Sequence, residues 1–273
     1  MERVSRSGWF SGCVLLLMLT ISATAAARGN RLVVGLEQFD WQEYDGEGGR
    51  LVRETGPRLM VGVEHTPGSN GRGSYFSYLA RGYFGNVDYD GHLQYTDGLL
   101  TPYSTDTHYW GAALDLRYNL QFSLPGLDLV PSLSLGIGGE WWLRDLRGAY
   151  GYQEYYAVGY SIADIGLRGA RPTGWFGRLG LKSPFHVGER VSGFYLDGTC
   201  NDVELEPGEN STILATLGYR LSPRSDISLG YEAYRFSSSP RKLARCSGST
   251  PLVEIYQPRS EMALFSLRYS VSL

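Results

Sequence analysis

Histidine and cysteine are scarce in this sequence, four of the first and three of the second in 273 residues. No HExxH, CxxC, Walker-type loop, dinucleotide fingerprint or calcium-loop pattern occurs, so nothing implies a metal or a cofactor. A formal net charge of −3 supplies no strong field of either sign, which argues against nucleic acid as a partner. Long apolar runs are missing too. The densest, VLLLMLTI at 14–21, falls well short of the roughly 18 residues a helix needs to cross a bilayer. Mean hydropathy is −0.21, too polar for a helical membrane protein.

That apolar stretch follows Arg3 and Arg6 and precedes the small residues Ala23, Ala25 and Ala27. It reads as a cleaved secretory signal peptide over 1–27, leaving one mature domain over 28–273. Cys13 lies before the apolar run, on the wrong side for a lipid-accepting cysteine. Cys200 and Cys246 remain after cleavage, and an even pair in an exported chain permits a disulfide between two loops, with two free thiols as the alternative. What the chain has in quantity is glycine, 36 residues, and tyrosine, 20 residues, a composition suited to short turns and to aromatics at an interface.

The closing stretch 261–273 sets Ala263, Phe265, Leu267, Tyr269, Val271 and Leu273 against Ser266, Arg268, Ser270 and Ser272. A period of two is a strand with one apolar and one polar face. Nine earlier runs share the pattern, at 31–44, 57–65, 75–87, 110–121, 129–141, 154–167, 175–183, 211–221 and 227–236. The run from Trp110 alternates Trp110, Ala112, Leu114, Leu116, Tyr118 and Leu120 with Gly111, Ala113, Asp115, Arg117, Asn119 and Gln121. Trp110 and Tyr118 are eight steps apart, roughly 26 Å along a strand. In the run 154–167 the apolar face is Tyr156, Val158, Tyr160 and Ile162. Short turns alternate with longer segments, 45–56, 88–106, 144–153, 184–210 and 237–260, read as loops.

The alternation running to the last residue, behind a secretory leader, resembles that of small bacterial outer-membrane β-barrel proteins of about ten strands, omptin-like in size. Leu273 stands where such strands usually end in an aromatic. The resemblance implies an all-β, transmembrane, antiparallel up-and-down barrel in the outer membrane of a Gram-negative bacterium, with both termini periplasmic. It also implies contact with outer-membrane lipid and lipopolysaccharide, and delivery by the barrel assembly machinery through the C-terminal strand.

On that reading the inward faces carry Glu37, Glu64, Asp115, Glu140 and Glu232, opposed by Arg81, Arg117, Arg178, Lys182, Arg220 and Arg268. Near-balanced signs in a narrow barrel point to a paired network closing the lumen, with a structural or surface-interaction role. A one-signed constriction would point instead to a small porin or channel, the alternative reading. An enzymatic alternative comes from the omptin proteases, which use an Asp pair facing an Asp–His pair; Asp88, Asp90, His186 and Asp197 have suggestive strand addresses, but no Asp stands two residues before His186. A lipid A acyl hydrolase or acyltransferase is disfavoured, since His65 is followed by Thr66 and Pro67 and neither His92 nor His108 lies near a nucleophile motif.

Overall fold

In the computed structural model the described residues are 29–67, 73–94, 100–122, 124, 126, 128–146, 151–192, 200–245 and 252–273. The expected signal peptide, Asp197 and Cys246 lie outside them. Seven strands come first: β1 (Asn30–Tyr44), β2 (Arg50–His65), β3 (Gly73–Gln94), β4 (Leu100–Gln121), β5 (Leu129–Asp145), β6 (Gln153–Gly169) and β7 (Gly174–Ser192). The short β8 (Val203–Leu205) and β9 (Gly208–Asn210) follow, then β10 (Thr212–Ser222) and β11 (Ser225–Ser237), a hairpin of β12 (Lys242–Arg245) and β13 (Leu252–Ile255), and β14 (Arg259–Ser272).

Each long strand pairs antiparallel with the next, β7 pairs with β10, and β14 pairs with both β11 and β1. The sheet therefore closes into a ring of ten strands with no free edge. The last strand does the closing: Arg31 to Tyr44 run in unbroken register against Ser272 to Arg259. β8 and β9 are added to the ends of β7 and β11, and the β12–β13 hairpin is a separate two-stranded sheet.

Period two makes one face of every strand outward. Leu135, Ile137, Leu229 and Phe265 are each 57–59% exposed, which in water would be a continuous greasy surface and in lipid is a solvated one. On β4 the outward belt runs from Trp110 to Leu120, roughly 33 Å along the strand and about 25 Å after a tilt near 40°. Aromatics ring both margins. Trp110 meets Trp141 at 4.9 Å and Trp141 meets Tyr155 at 6.3 Å on one side. Phe76 and Tyr118 at 5.1 Å, and Trp175 and Tyr219 at 5.2 Å, mark the other. Indole and phenol rings, apolar with one polar atom, suit the boundary between acyl chains and water.

The structure corrects the sequence reading in two places. Much of 45–56, 88–106 and 184–210, read as loops, is strand: β2 begins at Arg50, β3 and β4 extend to Gln94 and from Leu100, and β7 passes through Pro184 to Ser192. Pro184 pairs with Tyr160 at an irregularity between Gly159 and Tyr160 of the partner strand, a position where a strand tolerates proline. These extensions carry polar side chains outward, among them Arg53, Asp88 and Asp106, at the level of Asp40 and Gln42 on β1, so the wall continues past the apolar belt with a polar outer face. The second correction is β6. Tyr156, Val158, Tyr160 and Ile162 are buried inside the barrel, and the outward row is Tyr155, Ala157, Gly159, Ser161, Ala163, Ile165 and Leu167.

Candidate functional site

The inward faces divide the lumen into three storeys. At the end remote from the start of β1 and the end of β14 a packed core fills the bore, built from Phe39, Trp41, Tyr109, Trp142, Tyr156 and Phe236. Trp142 stacks on Tyr156 at 4.8 Å with 8° between the rings. Room for such rings comes from facing glycines: a Cβ on Gly138 would stand 2.4 Å from the Tyr160 ring, and the Tyr160 hydroxyl donates to Asp115 at 2.7 Å.

Within this storey one guanidinium serves three carboxylates. Arg144 donates to Glu43 at 2.6 Å, Glu54 at 2.9 Å and Glu154 at 2.8 Å, while the Tyr109 hydroxyl donates to Glu54. A fourth carboxylate, Glu189, accepts from the Gln257 amide at 3.2 Å in the orientation that satisfies both amide ends. Four acids and one cation are buried together above the apolar belt, so burial and mutual repulsion outweigh Arg144. Burial first pushes the Glu154 carboxyl up to about 7, against the attraction of Arg144. Glu189 rises well above the usual range through burial and the nearby Glu154 and Glu43. Sequence reading missed this cluster because Arg144 and Glu189 fall in segments that look like loops. The available signal was parity: Arg144 keeps step with Glu140 and Trp142.

In the middle storey the structure places most of the inward charges named from sequence. Arg81 donates to Glu232 through two nitrogens at 2.7 and 2.8 Å, Lys182 stands 3.4 Å from Glu140 and 3.3 Å from Glu232, and Arg268 donates to Glu232 at 3.2 Å. Tyr83 and Tyr234 donate to the two oxygens of Glu140 at 2.8 and 2.6 Å. Lys182 also sits over the Tyr160 and Tyr234 rings at 3.9 and 4.2 Å. Arg117 bridges Asp115 at 3.2 Å and Asp164 at 2.7 Å, and Asp164 lies 3.2 Å from Arg178. Glu37 takes Arg58, a partner the sequence reading left out, at 2.8 Å with both side chains 1% exposed. Asp164 was also missed. Two expected members stand apart from these pairs: Glu64 accepts from Thr66 at 3.4 Å and Arg220 donates to the Arg171 carbonyl at 3.3 Å.

Below the network, toward the start of β1 and the end of β14, the lumen opens into a cavity of about 920 Å³.

The three omptin-type candidates among the described residues do not come together. Asp88 and Asp90 point out of the wall on β3, with Asp90 beside Arg50 at 3.5 Å, and His186 points out of the wall on β7. Strand parity separates them from the lumen and four strand pairings separate them from each other. Cys200 is buried and disulfide-bonded. Its neighbour Asn201 exchanges hydrogen bonds with Arg245 at 3.0 and 2.6 Å, which brings the strand preceding Cys246 alongside. Among the described residues no group of His, Cys, Asp and Glu is arranged to hold a metal.

No protein-family model matches the chain, and no curated protein matches it in sequence. Among solved structures it is similar to the outer membrane protease OmpT of Escherichia coli, with a TM-score of 0.50 and 12% identity over 91% of this chain and 98% of that one. The β domain of the Bordetella autotransporter BrkA has a TM-score of 0.40 and 15% identity over 90% and 100% of the two chains. Neisserial surface protein A has a TM-score of 0.34 and 9% identity over 90% and 97%. At such identity the likeness speaks of fold alone. The chain is a closed, ten-stranded antiparallel barrel of the bacterial outer-membrane type.

Proposed function

We propose that this chain is an integral outer-membrane protein of a Gram-negative bacterium, exported by a cleaved leader over 1–27, with a closed lumen and a structural or surface-interaction role. Both termini and the short turns face the periplasm. The extended strands, with the β12–β13 hairpin, face the outside. Lipopolysaccharide is the lipid that the outer margin of the belt meets, and β14 is the strand the assembly machinery engages.

One observation carries the closed-lumen reading: the paired network of Arg81, Glu140, Lys182 and Glu232 crosses the bore with every side chain at most 16% exposed, and the aromatic core is stacked above it. Conduction needs a continuous wet path, and mutually neutralised charges packed against rings do not provide one. Liposomes containing the folded protein should swell in isotonic small sugars no faster than empty ones. Swelling at a rate typical of a porin would favour the channel reading instead. A protease reading gains nothing from the geometry, because Asp88, Asp90 and His186 share no space.

A further inference from the structure

We propose that the open half of the lumen is a binding vestibule for a small polyvalent oxyanion, a solute carrying phosphate or carboxylate groups at more than one position. Its volume of about 920 Å³ falls in the range of small-molecule sites. The rim is set by Gly29, Thr66, Pro172 and Pro223 at the end where β1 starts and β14 finishes, and the floor by Lys182, Glu232 and Asp115 of the charge network. Seven Arg and Lys side chains line it against four Asp and Glu, so the lining carries three more positive than negative charges.

The excess is concentrated on one wall. Arg168, Arg178 and Arg220 rise from β6, β7 and β10, three consecutive strands, and all three line the cavity. Arg178 makes no hydrogen bond among the described residues; its Nε stands 3.2 Å from Asp164, which is already engaged by Arg117 at 2.7 Å. Arg220 gives one bond, to the Arg171 carbonyl, and has Arg168, Asp226 and Arg31 as its charged neighbours. Each guanidinium offers five N–H donors in a flat fork that matches a carboxylate or phosphate edge. Like charges gathered at low dielectric repel, and a multivalent anion between them relieves that repulsion. Tyr75 and Phe176 line the same space and offer ring faces to a carbon skeleton.

The binding itself requires only the closed barrel and is independent of whether the lumen conducts. The proposed orientation decides solely that the vestibule opens to the periplasm. The test is calorimetric titration of the full chain in detergent at constant ionic strength, with sodium pyrophosphate, citrate and, as a neutral control, trehalose. Saturable binding of pyrophosphate or citrate is expected, with the tighter of the two naming the group preferred, and trehalose giving none. The double variant Arg178→Gln/Arg220→Gln should lose affinity by about tenfold per guanidinium, while Arg53→Gln on the outer wall should lose none. Should the double variant fail to give the compact, heat-modifiable form, Arg220→Lys keeps the charge, removes the fork and should still weaken binding. Absence of saturable binding by either anion, or affinity unchanged in the lumen variants, overturns the proposal.

Discussion

At Glu154 two opposing effects meet. Arg144 lies 2.8 Å away and favours the carboxylate, but the same guanidinium is shared with Glu43 and Glu54. Burial therefore prevails, and the folded-state pKa rises from 4.5 to about 7. A raised carboxyl means that the folded state binds the proton more tightly than the unfolded chain. The stability this contributes is fully present below pH 4.5 and is lost as pH rises through about 7. Thermal unfolding, followed by heat-modifiable migration, should occur at a higher temperature near pH 5 than near pH 8. Glu154→Gln should flatten part of that difference, the remainder belonging to Glu189, which shifts in the same direction. A profile identical in wild type and variant would contradict the assignment. On the outer surface the same residue-level logic separates lipid from water. Ile137→Arg, in the middle of the belt, should cost about 2–4 kcal/mol, whereas Asp88→Arg, on the extension beyond it, should stay within about 0.5 kcal/mol. Denaturant unfolding in liposomes checks both, and equal effects would remove the boundary between the two environments.

Among elements, β14 and the part of β4 from Trp110 to Gln121 were legible from sequence because one face is apolar there and the other is not. β6 was not, and the reason is physical. A narrow barrel with a packed interior accepts aromatics inside, so an apolar face such as Tyr156, Val158 and Tyr160 turns inward when the alternate row is small enough, as Ala157, Gly159 and Ala163 are, to face lipid without penalty. The extensions of β2, β3, β4 and β7 were hidden for a different reason. Past the belt the outward row turns polar, so the strand loses its contrast with a loop, and Pro184 looks like a terminus although a bulge accommodates it. The inward charges were readable by parity, and so was Arg58, which stands directly opposite Glu37 in the β1–β2 pairing; Asp164 was not, because the face of β6 that carries it was read as the outer one. The segment around β8 and the β12–β13 hairpin packs as a small satellite core of Val203, Leu205, Ala244 and Ile255 beside Cys200. Cys200→Ser should loosen that satellite and leave the barrel's unfolding temperature nearly unchanged. Reducing agent should alter the gel mobility of folded wild type but not of the variant; the same mobility shift in both would dissociate Cys200 from it.

At the scale of the molecule, three storeys share one bore: a dry aromatic core, a paired charge network and an open basic vestibule. Glu232 joins the last two, since Arg81, Lys182 and Arg268 all reach it. Glu232→Ala would leave those cations with Glu140 as the remaining acid at that level, and the loss should be about 3–5 kcal/mol of stability. Urea unfolding measures it, and a loss below about 1 kcal/mol would mean the network is a solvated assembly of weak pairs. Everything else depends on which side of the wall each side chain occupies. Trp141 and Trp142 are adjacent in sequence, and the structure sends the first to the aromatic margin of the belt and the second into the core, where it is 1% exposed. Single-tryptophan variants folded into bilayers with brominated acyl chains test that directly. The fluorescence of Trp141, like that of Trp110 and Trp175, should be strongly quenched, and that of Trp142 and Trp41 should not. Equal quenching of Trp141 and Trp142 would contradict the barrel described here.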